Sequence, residues 1–360
     1  MKFLKYFLIF LSMELKHRKT ILKNMFFDSK IDKALKKWKP KCANIEKQII
    51  DGDSINIRKL YLSVSSICNV DCSFCIYGQV EQNKKFKKGT MSDEVFEKTL
   101  EFINNLKIEK ISFSSTVGEP LIDPRLFDKI KKLKLLGFKK IYTFSNGVLL
   151  SNNHNHKKVL TSGLSDYELS TSSFDEKNWS LMYRSNKYKN MINGFSKLLE
   201  EAHKTKSELA ITINFRPNIS PLAIFFQKDF QRLLLPYFTK KVNFDYLTYL
   251  IDWGGKIDKN KLPSGIRISK NPTFQPSMCL RMTDLVVLQD GAIRLCGCNI
   301  NETEHDDLVI GHIFDEDINT IFYSEKAKKL RLSFYNNNVP SVCNKCSFYE
   351  PMILNKKFKL

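Results

Sequence analysis

The stretch IRKLYLSVSSICNVDCSFC, residues 57–75, runs from a strand-like segment straight into three cysteines. Residues 57–65 carry the alternating apolar and aromatic pattern of a strand. Cys68, Cys72 and Cys75 follow at CxxxCxxC spacing. Three thiolates in one short loop are metal-ligand chemistry. A closed 4Fe–4S cluster takes four cysteines, so three leave one iron open, much as a catalytic zinc site leaves one position open. Zinc is the competing reading. Zinc modules usually pair CxxC knuckles, however, and no fourth ligand lies near this loop.

Working outward, strand and helix patterns alternate about six times between residues 57 and 250. Strands are expected at 111–115, 141–144, 167–171, 209–215 and 242–248. Helices are expected at 92–106, 124–136, 156–162, 190–205 and 221–237. Ser92 stands at the N-cap of the first helix, with Val95, Phe96, Leu100 and Ile103 on one face. Gly137 ends the second, whose inward residues are Leu126, Ile130 and Leu133. This rhythm predicts an α/β fold with a parallel sheet and right-handed crossovers. Periodicity alone does not separate a barrel from a flat doubly wound sheet.

The chain has 360 residues, 42% of them hydrophobic and 12% aromatic, which is a globular composition. Its formal charge is 58 − 38 = +20. The lysines are spread along the chain and no groove-reading motif appears, so no nucleic-acid partner is expected. The apolar run at 3–13 is too short to span a bilayer, which takes about 20 residues. No small-residue cleavage site follows it. With the basic stretch at 16–41, it fits a docking helix, a helix lying weakly on a membrane surface, or a chain whose working start is Met13. Nine cysteines with no secretory signal point to metal binding in a reducing, cytoplasmic setting rather than to disulfides.

Eight of the nine cysteines fall in two groups. In the second, Cys279 is followed by eleven residues, Gly291, four residues and Cys296, and Cys343 and Cys346 form a CxxC. Segments 283–288 and 292–295 read as strands around the Asp290-Gly291 turn, which brings Cys296 back towards Cys279. A helix is expected near 318–332. Four thiolates from a hairpin and a CxxC knuckle close either a tetrahedral zinc site or a fully ligated cluster. Cys298 competes with Cys296 for the fourth place. Cys42 reads as a plain buried or free thiol.

Both groups carry a resemblance. The CxxxCxxC loop, down to Phe74 before its last cysteine, is similar to that of the radical S-adenosylmethionine (SAM) enzymes. The C-x11-G-x4-C…C-x2-C layout, with GHIFDEDINTIFYSEKAKKLR at 311–331, resembles the SPASM/twitch extension of that superfamily. The resemblance implies a partial (β/α)6 TIM-like barrel and a small cysteine-rich α+β auxiliary-cluster domain. The expected divisions are a basic helical extension at 1–56, the barrel at 57–255, a linker at 256–278 and the auxiliary domain at 279–360. It also implies three cofactors: SAM, a SAM-binding 4Fe–4S cluster on Cys68, Cys72 and Cys75, and an auxiliary 4Fe–4S cluster. A full SPASM domain has further cysteines after the CxxC, and none occurs here. One auxiliary cluster is therefore expected, on Cys279, Cys296, Cys343 and Cys346.

The resemblance also assigns a SAM site. Val117-Gly118-Glu119-Pro120 is similar to the family's GGEP segment, with Val117 replacing a glycine, so Gly118 carbonyls would meet the SAM amino group and Glu119 would steady the loop. Asn146 lies in a turn similar to the family's TNG. Ser170 and Arg184 stand where relatives grip the SAM carboxylate, and Phe74 falls near the adenine. Without the resemblance, each of these residues reads as a turn, surface or core residue. The six histidines show no ligand spacing.

The implied activity is reductive SAM cleavage and hydrogen-atom abstraction, fed by an electron donor such as flavodoxin or ferredoxin. A single auxiliary cluster resembles the alcohol-oxidising members, so a two-electron oxidation of a carbohydrate or other small polar substrate is the leading expectation. Peptide or protein modification, of the ribosomal-peptide or sulfatase-maturing kind, is second. The extension at 1–56 is short and basic for a peptide-recognition domain. A non-catalytic iron–sulfur or zinc protein is the alternative from another class.

Overall fold

The computed structural model describes residues 2–26, 30–38, 40–52, 54–104, 106, 108–114, 116–272 and 274–352. Ser115, expected to end a strand, and the final eight residues of the auxiliary domain lie outside them. Three helices come first: α1 (Lys2–Phe26), α2 (Lys30–Lys37) and α3 (Pro40–Asp51). The alternating part contains β1 (Lys59–Leu62), α4 (Tyr77–Val80), α5 (Asp93–Ile103), β2 (Lys110–Ser112), α6 (Leu126–Leu135), β3 (Ile141–Ser145), α7 (Asn155–Thr161), β4 (Asp166–Thr171), α8 (Glu176–Tyr183), α9 (Tyr188–Lys204), β5 (Ala210–Phe215), α10 (Pro221–Phe225) and β6 (Val242–Tyr246). The C-terminal part holds β7 (Asp284–Val287), β8 (Ala292–Leu295), β9 (Val309–His312), α11 (Ile318–Tyr323) and α12 (Glu325–Leu332).

Strands β1 to β6 pair in parallel with their sequence neighbours, and β6 ends the sheet. This is a partial barrel with a small C-terminal extension. Leu60 and Leu62 of β1 are wholly buried in the core, while Tyr61 between them turns to a chamber inside the barrel. That two-residue alternation places core on one face of each strand and chemistry on the other.

The sheet runs on through the expected boundary at 278. Strand β7 pairs in parallel with β1, so Tyr61 lies opposite Val286. Strands β8 and β9 then add antiparallel, giving a sheet of nine strands among the described residues. The Arg58 guanidinium forks onto the buried Asp284 carboxylate across this seam, at 2.9 and 2.7 Å. Gly291 supplies the hairpin turn at φ +93, a conformation in which a glycine carries no Cβ penalty.

Local rules explain most boundaries. Ser92 caps α5 by accepting from Val95 N at 3.1 Å. The helix expected at 221–237 is broken. α10 stops at Phe225, and a π turn at Phe230–Leu234 and a 3-10 turn at Leu235–Tyr237 follow. Pro236 lacks an N–H and its ring crowds the preceding turn, which accounts for the irregular turns at 230–237; the stop at Phe225 lies eleven residues earlier, beyond that reach. The helix expected at 318–332 is two helices. Ser324 separates them by capping α12, accepting from Ala327 N at 3.3 Å. α8 and β9 are absent from the sequence reading.

Helix α1 docks on the open β6 edge. Tyr6 and Phe10 are buried, edge-on to Phe238 and Phe244. Each such aromatic contributes about 1.5–3 kcal/mol by burial. Among the described residues no helix is long and apolar enough to cross a membrane.

Candidate active site and auxiliary thiol site

The cysteine loop leaves β1 at the C-terminal edge of the sheet, where a barrel carries its chemistry. Ser73 N donates to Met182 O at 2.8 Å, and Trp253 Nε1 donates to Phe74 O at 3.1 Å, so the loop is clamped from both sides. Cys68, Cys72 and Cys75 line one chamber of about 420 Å³. Burial pushes the Cys68 thiol up to about 12, with Glu119 adding to it, and the Cys75 thiol up to about 11. Cys72 is raised well above the ordinary cysteine value, by burial and then by its two neighbouring thiols. Three soft donors line one chamber, and burial outweighs the opposing pull of Arg216 on Cys72 and Cys75; a positive metal centre fits here, and binding it releases the thiol protons.

The next strand ends complete the chamber. Gly118 sits at φ +122 against the chain before the cysteines: a Cβ there would lie 2.1 Å from Ser65 O. Glu119 is buried and accepts from Leu121 N at 3.1 Å and from Asn146 N at 2.8 Å. It therefore ties the turn after β2 to the turn after β3. Burial raises its carboxyl to about 7, against the lowering effect of those hydrogen bonds. Asn146 Nδ2 donates to Asn69 Oδ1 at 2.7 Å, within the cysteine loop. Thr116 Oγ1 lines the chamber, buried and without a partner among the described residues, as a group awaiting a ligand would be.

Ser170, at the end of β4, lines the chamber, and Phe74 packs edge-on to Tyr183 at its wall, 5.7 Å between ring centroids. The expectation for Arg184 changes. Arg184 closes α8 in the left-handed conformation at φ 45 and pairs with Asp71 at 3.6 Å. It faces a separate cleft with Asp258 and Lys261, away from the chamber. The guanidinium in the chamber belongs to Arg216, just beyond β5. It donates to Ser170 Oγ at 2.7 Å and to Asn214 Oδ1 at 3.2 Å. Sequence reading missed Arg216. The available signal was its place, one residue past a strand whose predecessors end in chamber residues.

Cys279, Cys296, Cys298, Cys343 and Cys346 surround a second, smaller cavity. Cys279, Cys343 and Cys346 are all raised by burial and then by Cys296, so these four thiols are mutual neighbours. Cys298 has other neighbours: Cys296, Arg281 and Asp284. A thiol hydrogen bond between Cys296 and Cys298 holds Cys296 below and Cys298 well above the ordinary cysteine value. Cys296 adopts φ 63, and the wholly buried Arg294 donates to its carbonyl and to Asp306 at 2.8 Å. That arginine staples the strained turn. Cys298 and Phe348 line both this cavity and the chamber, so the two thiol sites share a wall.

Comparison with known proteins agrees with this geometry. Residues 62–215 match the radical SAM superfamily, and residues 279–347 match an iron–sulfur cluster-binding domain, SPASM. The chain is 29% identical over 182 residues to a GTP 3′,8-cyclase of Aquifex aeolicus, covering 50% of this chain and 56% of that protein. It is 30% identical over 95 residues to a tungsten-containing aldehyde ferredoxin oxidoreductase cofactor-modifying protein of Pyrococcus furiosus, covering 26% and 25%. The chain thus spans about half or less of the length of these relatives. Among solved structures it is similar in fold to BtrN in complex with AdoMet and 2-DOIA, at TM-score 0.52 and 16% identity, over 81% of this chain and 92% of that one. It is also similar to Streptococcus suis SuiB bound to precursor peptide SuiA, at TM-score 0.51 and 13% identity, over 83% and 72%. The chain carries a radical SAM domain at 62–215 and a C-terminal SPASM-type iron–sulfur cluster-binding domain at 279–347.

Proposed function

We propose that this protein is a radical SAM enzyme that carries out a two-electron oxidation of a carbohydrate or other small polar substrate, with one auxiliary cluster. When bound, SAM and a three-cysteine 4Fe–4S cluster would supply hydrogen-atom abstraction from a substrate C–H bond. Cys68, Cys72 and Cys75 act as the thiolate ligands. The Gly118 backbone, Glu119 and Asn146 shape the SAM amino-group site. Phe74 flanks the adenine. Ser170 orients Arg216, whose fork suits the SAM carboxylate and takes the role expected of Arg184. Cys279, Cys296, Cys343 and Cys346 hold the auxiliary cluster, and Cys298 stays a thiol on the chamber side. An external donor such as flavodoxin or ferredoxin supplies the reducing electron.

The observation that carries the oxidation is the shared wall. Cys298 and Phe348 belong to both cavities, so an electron leaving a substrate in the chamber has a short path to the second thiol site. The small-substrate reading rests on chamber size and on lining groups such as Tyr61, Tyr249 and Ser269. Peptide modification is the second reading, favoured by the fold neighbour bound to a precursor peptide.

The test is anaerobic reconstitution with iron and sulfide, then dithionite and SAM. The wild type is expected to form 5′-deoxyadenosine, and Cys72→Ala to form none. A fully iron-loaded wild type that leaves SAM intact would establish the non-catalytic alternative.

A further inference from the structure

Helix α1 has two apolar faces, and the barrel accounts for only one. Tyr6, Phe10 and His17 are buried against the β6 side. At 3.6 residues per turn, Leu4, Leu8, Leu11, Leu15 and Leu22 fall within a second arc of about 60°, turned well away from the first. Leu4, Leu8, Leu15 and Leu22 are between 53% and 62% exposed, and Leu11 is half-buried. A helix packed on a globular core normally shows one apolar face and a polar back. A continuous exposed leucine stripe instead marks a surface that meets something.

The charges around the stripe say what it meets. Lys5, Lys16, Lys19 and Lys23 occupy the adjoining arc of about 60°, and Arg18 lies on the opposite side. The described helix carries Lys2, Lys5, Lys16, Lys19, Lys23 and Arg18 against one acid, Glu14, a side-chain charge of 6 − 1 = +5. Glu14 is buried, bound by Arg18 Nε at 2.7 Å and by Leu222 N at 3.3 Å, so it offers nothing outward. Lys270 adds a further cation beside the end of α1, donating to Asn24 O at 3.3 Å. A second copy of α1 would bring five more positive charges to the seam and no exposed carboxylate to meet them. Leucines bordered by lysines along a helix that does not span fit an anionic bilayer surface, where the apolar stripe enters the headgroup boundary and the ammonium groups meet lipid phosphates.

We propose that α1 is a peripheral anchor that holds this protein on anionic phospholipid membranes through Leu4, Leu8, Leu11, Leu15 and Leu22, with Lys5, Lys16, Lys19 and Lys23 on the headgroups. The barrel-facing side of the helix stays docked, so attachment leaves the fold unchanged. The experiment is co-sedimentation of the whole, cluster-loaded protein with extruded vesicles. One set is phosphatidylcholine alone and the other a phosphatidylcholine–phosphatidylglycerol mixture. Binding is expected to the mixture and not to phosphatidylcholine alone. Leu8→Glu/Leu15→Glu and, separately, Lys16→Glu/Lys19→Glu are each expected to weaken it about tenfold, with circular dichroism unchanged. Leu8→Ser/Leu15→Ser serves if the glutamates disturb folding. Absence of binding to the mixture overturns the proposal. So does binding that survives the leucine changes, which would be diffuse attraction by the net positive charge. A leucine-dependent dimer in sedimentation velocity without vesicle binding overturns it in favour of a second copy.

Discussion

Cys298 donates its backbone N–H to the Cys296 sulfur at 3.3 Å, and the interaction of the two side chains lowers Cys296 and raises Cys298. Two positions apart in sequence, they face different partners: Cys296 the other three thiols, Cys298 Arg281 and the chamber. Iron counting after reconstitution separates their roles. Cys298→Ser is expected to keep the wild-type iron content, while Cys296→Ser loses about four irons per chain. Equal losses would make Cys298 a ligand. CxC spacing alone left this choice open, because both residues lie within reach of the same hairpin end. The αL turn at Cys296 and the Arg294 staple on its carbonyl aim them apart. Arg216 was missed for a related reason: its place just past a strand was readable, but nothing in its neighbours' types distinguishes a chamber arginine from a surface one. The β4–β5 register, with Ser170 opposite Asn214, puts it beside Ser170.

At the scale of elements, α3 is tied to the auxiliary domain through one buried carboxylate. Glu46 accepts from Tyr335 Oη at 2.6 Å and from Ser277 Oγ at 3.0 Å. Burial raises its carboxyl above the ordinary glutamate value, against the lowering effect of those two bonds. A raised acid favours the folded state fully while the unfolded group is protonated, below about pH 4.5. That contribution is lost as pH rises through the folded value. Glu46→Gln carries no charge to bury. Denaturant midpoints measured at several pH values should therefore show the wild type losing ground to Glu46→Gln as pH rises from about 4.5. A gap that does not vary with pH would mean the carboxyl is not buried in its charged form. Glu46→Ala should cost about 1–3 kcal/mol, since it strands two hydroxyl donors. Elements with strong local signals were legible: Ser92 and its apolar face announced α5, and Asp290-Gly291 the β7–β8 turn. The breaks at Pro236 and Ser324 were misread because the apolar period continues across both, and a period cannot tell one helix from two.

At the scale of the whole molecule, the barrel and the cluster domain are one sheet. The β1–β7 pairing and the Arg58–Asp284 fork join segments 226 positions apart. Arg58→Met leaves the buried Asp284 carboxylate without its forked partner, with Arg281 at 4.0 Å and Lys59 as weaker cationic neighbours. It should destabilise the protein by about 3 kcal/mol, read as a lower urea midpoint. Because the sheet is shared, tryptophan fluorescence and far-ultraviolet circular dichroism should report one coincident transition. Two separated transitions would show the domains melting independently. The sequence by itself determined the ligand chemistry, the strand–helix order and the two cysteine groups, because these are written in spacings of a few residues and in periods of 2 and 3.6. Tertiary structure decided which guanidinium enters the chamber, which thiol faces it, and that the second thiol site adjoins it across a shared wall. The first depends on the β4–β5 register and the other two on β7 lying beside β1, pairings between distant segments that no local spacing encodes.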